Sequence, residues 1–279
     1  MKLYSINTGH FKLDGGAMFG VVPKSIWNRL NPADENNMCS WAMRCLLIET
    51  TNRLILIDNG MGSKQDEKFF GYYYLHGSDS LDKSLAAHGF SRNDITDVVL
   101  THLHFDHCGG SIEKTAAGLY EPAFKNAHYH VHEDHWKWAI QPNAREKASF
   151  LKENILPIQE SGQLNFIDER EPLVEGVSFL RVDGHTEAML LPKVSMKGST
   201  LLFMADLIPS VHHLPLPYVM SYDVRPLSTM NEKTAILNQA VKENWVLFFE
   251  HDPLIECARL ELTERGIKAA TKGNLSDLF

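Results

Sequence analysis

Four side chains able to bind a metal ion fall within six residues, in His102-Leu103-His104-Phe105-Asp106-His107. No single face of a helix or a strand presents all four, because those elements repeat at about 3.6 and 2 residues. A tight loop after a strand can aim His102 and His104 at one point and Asp106 and His107 at a neighbouring one. Imidazole with carboxylate suits zinc, and also iron, manganese or cobalt. Three further residues of ligand type, His185, Asp206 and His251, each stand just beyond a hydrophobic run. Two cations a few ångström apart lower the pKa of a shared water towards neutrality and polarise a carbonyl or phosphoryl oxygen. The chemistry that this pattern points to is metal-assisted hydrolysis. A solvated histidine-rich turn explains the first cluster alone and none of the three distant residues.

The elements that must position these groups are legible in outline. Residues 44–49 and 53–58 are β-prone apolar runs joined at Thr51-Asn52 and stopped by Asn59-Gly60, which predicts a hairpin. The Gly-rich stretch 14–20, with Pro23 and Trp27 after it, reads as a loop with exposed apolar side chains. Apolar spacing predicts a helix over 79–88, capped by Ser78 or Asp79 and ended by Gly89. A short buried strand over 97–101 runs straight into the histidine cluster. A strand over 127–131 and a short helix over 134–140 follow, and residues 141–164 read as helical and then loop-like. Strands over 177–182, 200–204 and 246–249 deliver His185, Asp206 and His251, with an amphipathic helix over 229–244. A hairpin turning near Glu264-Arg265-Gly266 closes the chain. This is an α/β pattern with helix-covered sheets and polar groups at strand ends.

Taken together, His102-x-His104-x-Asp106-His107, His185 in Gly-His-Thr, Asp206 and His251 resemble the metallo-β-lactamase superfamily, and Asp58-Asn59-Gly60 resembles its Asp-x-Gly motif. The resemblance implies an αββα four-layer sandwich: one hydrolase domain over 1–279 with an N-terminal loop extension at about 10–40. It implies one metal on His102, His104 and His185, and a second on Asp106, His107 and His251. Asp206 would bridge them opposite a shared hydroxide, and Asp58 would accept the second N–H of a ligand histidine. Asp106 and Asp206 are thus the candidate catalytic carboxylates, with Asp106 holding the nucleophile's proton.

Within the superfamily, His104 separates the chain from redox members, which resemble His-x-Glu there. An aspartate at 206 separates it from true β-lactamases. The run 13–24 with Trp27, Ala205-Asp206-Leu207-Ile208-Pro209 and Ser221-Tyr222-Asp223 resemble quorum-quenching N-acyl homoserine lactonases and methyl parathion hydrolase. The implied reaction is attack of a metal-bridging hydroxide on a lactone or related small ester. The alternatives are an organophosphate triesterase, a glyoxalase II-like thioesterase and a non-catalytic metal-binding module. Compact lactonases carry a carbonyl-polarising Tyr three residues after the bridging Asp, where this chain has Pro209; Tyr222, His212 and His213 are the substitutes to consider. Phe19 and Trp27, with Phe69, Phe70 and Tyr72-Tyr73-Tyr74, are candidates for an apolar wall, and exposed aromatics also admit a homodimer.

The other chemistry-bearing residues have plainer expectations. His128, His130 and His132 share one strand face and read as solvated or packed; His135 reads as packing, and Cys108 as a buried thiol. The four cysteines show no Cys-x-x-Cys pair and read as reduced thiols. A net charge of −8 without a basic stripe argues against nucleic acid. No apolar run approaches the roughly 18 residues that span a bilayer, and residues 1–7 lack a signal-peptide core. The expectation is a soluble, cytoplasmic protein with a small-molecule substrate and no membrane partner.

Overall fold

The structure is a computed structural model that describes residues 1–279. In chain order the strands are β1 (Lys2–Asp14), β2 (Met38–Glu49), β3 (Leu54–Ile57), β4 (Asp97–Val99), the ribbon strands β5 (Ile112–Lys114) and β6 (Tyr120–Pro122), β7 (His128–His132), β8 (Leu164–Ile167), β9 (Val177–Val182), β10 (Met189–Met196), β11 (Ser199–Phe203), β12 (Val246–Phe248), β13 (Cys257–Thr263) and β14 (Gly266–Gly273). Two six-stranded sheets result, ordered β1-β2-β3-β4-β7-β8 and β14-β13-β12-β11-β10-β9.

Period-two alternation decides which side chains face which layer. In β3, Ile55 and Ile57 join the core between the sheets, whereas Leu54 and Leu56 face the outer helices. In β2, Leu46 and Ile48 point inward and Cys45 and Leu47 outward. Leu201, Phe203, Val246 and Phe248 of the second sheet belong to the same hydrophobic cluster, which continues through that sheet to Ile236 and Leu237 of helix Pro226–Lys242. Helices on both outer faces complete the αββα sandwich of the metallo-β-lactamase fold. Strands β3 and β4 run parallel, as do β11 and β12, so their C-terminal ends gather on one edge. That edge receives residues 58, 101–107, 206 and 251.

Four expectations need correction. Residues 14–20 are not a loop with exposed apolar side chains. Asp14 caps helix Gly15–Phe19 by accepting the Ala17 N–H at 2.8 Å, and Met18, Phe19 and Trp27 are buried. The N-terminal loop extension at 10–40 is likewise displaced, since β1 pairs with β2 as far as Asp14 against Met38. The 141–164 segment runs in the reverse order: turns come first, then helix Lys152–Glu160, then β8. The 79–88 helix spans Leu81–Ala87, capped by Ser80 rather than Ser78 or Asp79. No helix is long and apolar enough to cross a membrane.

Candidate metal centre

The sharp end of β4 throws His102 to His107 into a loop whose last residues form the short helix Phe105–Cys108. Asp58, just past β3, stabilises that departure by accepting the Thr101 N–H at 2.8 Å and the Thr101 hydroxyl at 2.6 Å. From the second sheet, Ala205 adopts φ +41°, a left-handed conformation costly for a residue with a Cβ, and so turns Asp206 away from its strand. Beside His185, a Cβ on Gly184 would stand 2.3 Å from the Thr229 hydroxyl, so only glycine lets helix Pro226–Lys242 approach.

These turns bring all seven sequence candidates together as two adjoining groups, His102, His104, His185 and Asp206 beside Asp106, His107 and His251, every one buried. His104 Nδ1 lies 3.1 Å from His102 Nε2 and 3.2 Å from His185 Nε2. His107 Nε2 lies 3.2 Å from His251 Nε2. Asp206 sits between the groups, Oδ2 at 3.1 Å from His185 Nε2 and 3.5 Å from His107 Nε2, Oδ1 at 3.1 Å from His251 Nε2. Asp106 Oδ2 is 3.7 Å from both His107 Nε2 and His251 Nε2.

Such spacing suits a cation better than a proton. Ligands of a tetrahedral zinc at about 2.0–2.1 Å stand roughly 3.3 Å apart, close to these separations. Three imidazole nitrogens meeting at one point cannot all be satisfied by hydrogen bonds among themselves. Asp206 Oδ1 is buried without a hydrogen-bond partner although an imidazole nitrogen is near, as expected of an oxygen aimed at an ion. The donor chemistry and its geometry fit two metal ions.

Protons take up part of that role when no ion is held. Burial opposes charge on His185, but Asp206 and Asp223 raise it to about 10; burial likewise opposes His251, which Asp206 raises to about 9. His107 is also raised, by Glu250, Asp106 and Asp206 against its burial. His102 is pushed well below its usual value by burial and by its imidazole neighbours. Asp206 stays ionised despite burial because His107, His185 and His251 surround it.

The sequence missed several groups that aim these side chains. His135 is not simple packing: its Nε2 accepts the Leu103 N–H at 2.8 Å, between His102 and His104, and its Nδ1–H donates to Glu187 O. Asp223 accepts from His185 Nδ1 at 2.8 Å and from the Thr229 hydroxyl at 2.7 Å. Glu250, whose carboxyl burial raises to about 8, lies 3.0 Å from His107 Nδ1, which also faces Asp58 Oδ2 at 3.2 Å. Glu250 was detectable only as the neighbour of His251. Cys108 is buried, its thiol donating to Leu103 O at 3.3 Å. On the histidine strand, His130 pairs with Asp97 and His132 with Glu169, at 2.8 and 2.9 Å.

The centre forms the floor of a cleft of about 360 Å³, walled by Leu13, Met18, Tyr73, Phe105, Met220 and Tyr222. Of the pocket candidates Tyr222 and Tyr73 line it, whereas Phe69, Phe70, Tyr72 and Tyr74 do not. Phe19, Trp27 and His213 are instead a buried stack, with ring centroids 5.6 Å apart for Phe19–Trp27 and 4.7 Å for Phe19–His213. His213 is fully used there, its Nδ1 facing the Ser210 hydroxyl and its Nε2–H donating to Met18 O. His212 also lies off the cleft lining. A larger hollow, about 930 Å³, lies between residues 214–217 and the β13–β14 turn, but no histidine or aspartate lines it.

The metallo-beta-lactamase superfamily profile matches residues 44–251. N-acyl homoserine lactonase AiiA of Bacillus thuringiensis subsp. kurstaki is 26% identical over 266 residues, covering 90% of this chain and 93% of that protein. A probable metal-dependent hydrolase from Staphylococcus aureus superposes with a TM-score of 0.89 at 28% identity, over 97% of this chain and 95% of that one. AidC, a dizinc quorum-quenching lactonase solved with a product, superposes with a TM-score of 0.81 at 23% identity, over 98% and 95% of the two chains.

Proposed function

Because the chain belongs to the metallo-beta-lactamase superfamily and is a metal-dependent hydrolase, we propose that it opens a lactone or cleaves a related small ester. One observation carries the reading: two convergent donor sets, joined by Asp206, floor a small cleft with mainly apolar walls. The similarity to N-acyl homoserine lactonases supports the choice of ester over other hydrolysable bonds.

In this reading His102, His104, His185 and Asp206 hold one divalent cation, and Asp106, His107, His251 and Asp206 hold the other. When bound, such a pair acidifies a water and draws charge from the substrate's carbonyl oxygen. The protein does the rest. Leu13, Met18, Phe105 and Met220 exclude bulk water and seat the apolar part of the substrate. Asp106, on the cleft wall, takes the proton of the attacking water as its oxygen bonds to the carbonyl carbon. The same carboxyl returns the proton to the alkoxide oxygen as the ester C–O bond breaks, leaving an acid and an alcohol.

Tyr222 supplies the donor that Pro209 cannot. A tyrosine hydroxyl keeps its proton at neutral pH, and from the cleft wall it donates to the developing oxyanion. Tyr222→Phe is expected to lower kcat about 10²-fold with KM changed by less than about threefold. An unchanged kcat reduces Tyr222 to a wall residue.

The decisive experiment is a screen of metal-reconstituted protein against acyl-homoserine lactones of varied chain length beside paraoxon-like triesters. Lactone turnover that disappears in a folded His104→Ala variant supports the proposal. Turnover of triesters alone reassigns the substrate class, and no turnover across lactones, esters, thioesters and triesters defeats it.

A further inference from the structure

Every imidazole of the centre turns one nitrogen inward and leaves one to be fixed from outside. The outward nitrogen of His102 meets Thr101 Oγ1 at 3.1 Å, that of His107 meets Asp58, that of His185 meets Asp223, and that of His251 meets Ala42 O at 2.7 Å. His104 is the exception in two ways. It turns Nδ1 inward rather than Nε2, and its outward Nε2 is buried with no partner at hydrogen-bonding distance and angle. The acceptor facing that nitrogen is Glu146 Oε1, 3.5 Å away.

Glu146 is not a surface acid that drifts near. It is 3% exposed, and three donors fix its carboxylate: the Thr186 hydroxyl at 2.5 Å, Trp138 Nε1–H at 2.8 Å and Asn143 Nδ2–H at 2.5 Å. A buried carboxylate is costly unless such donors and a nearby cationic group satisfy it. Phe150, from the same segment, packs on the His104 ring with centroids 4.8 Å apart. Arg145, the adjacent residue, donates instead to the carbonyls of Ser221 and Asp223, and Asp223 fixes His185.

We propose that Glu146 is the positioning residue of His104. It accepts the Nε2–H, so the ring keeps the tautomer whose Nδ1 lone pair faces His102 and His185. Through Thr186 it also keys the His104 ring to the neighbouring loop that carries His185. An outer carboxylate of this kind orients a ligand imidazole and makes it more basic. The inference rests on His102, His104 and His185 forming one donor set of the proposed centre.

Stripped protein titrated with Co²⁺ alone, with a chelator in competition and the visible spectrum recorded, tests both levels separately. Wild type taking up fewer than two Co²⁺ defeats the donor-set reading itself. With two bound, Glu146→Gln is expected to weaken one Co²⁺ about 10- to 100-fold, to leave the other within about threefold and to alter the spectrum of the weakened site. Glu146→Asp, which retains the charge, is expected to recover part of the loss. Equal weakening of both ions, or of neither, overturns the positioning role. Long-range ¹H–¹⁵N spectra of wild type decide the point even if the Gln variant fails to fold. His104 protonated at Nε2, with slow exchange, is required; a proton at Nδ1 in the loaded protein overturns the proposal.

Discussion

Replacing Asp206 with alanine is expected to lower kcat/KM by at least about 10³-fold while the chain stays folded, because the two donor sets meet on this one carboxylate. Its Oδ2 faces His185 and its Oδ1 faces His251, each at 3.1 Å, so one side chain touches both groups. Asp106 approaches only His107 and His251, at 3.7 Å each. The Asp206 variant should therefore lose affinity for both ions, whereas Asp106→Ala should lose chiefly one. Metal content after gel filtration, measured beside kcat/KM on the best substrate, separates the cases. Activity within tenfold of wild type with two metals retained in Asp206→Ala would remove the bridging role. The metal-free variant should also be less stable than metal-free wild type near neutrality. His107, His185 and His251 all owe their raised basicity partly to this anion, and without it their charges repel unscreened.

The sequence exposes this centre because its ligand types are uncommon, clustered and placed after apolar strands. What it hides is hidden for physical reasons. Strand β1 sits at the edge of its sheet and buries few residues, Ile6 and Phe11 among them, so its alternation is too weak to stand out. Strand β10 carries Pro192 and Lys193, which disguise a run whose neighbours are fully buried. Pro157 reads as a helix breaker, yet it lies inside Lys152–Glu160. The glycines of 14–20 suggest a flexible loop, but the Asp14 cap and the Phe19–Trp27 stack exist only once the chain has folded back. The same holds for His135, Glu146 and Asp223. Each acts on a ligand more than 30 residues away, at a distance no local pattern records.

Chelation is expected to lower the thermal midpoint by at least about 10 °C, and the fall should be larger at pH 9 than at pH 6. The seven candidate side chains come from both sheets: the loop after β4 supplies four, and the ends of β9, β11 and β12 supply His185, Asp206 and His251. Ions held in common would therefore clamp the two layers along one edge. Each ion at a concentration of about 1,000 Kd adds roughly 4 kcal/mol to the folded state, and each kcal/mol moves the midpoint of a domain this size by about 2–4 °C. The pH dependence follows from the protons that stand in for ions. His185 at about 10 and His251 at about 9 are raised above the ordinary value of 6.5. Their contribution to the metal-free fold is thus complete below about pH 6.5 and is lost as pH rises through 9 and 10. The loaded form must already have shed those protons, so its affinity for ions climbs over the same interval. Melting curves with and without chelator at fixed free metal, from pH 6 to 9, should diverge steadily. A constant gap would mean that these imidazoles carry no protons to displace, and no gap at any pH would mean that the seven side chains hold no ion between the sheets.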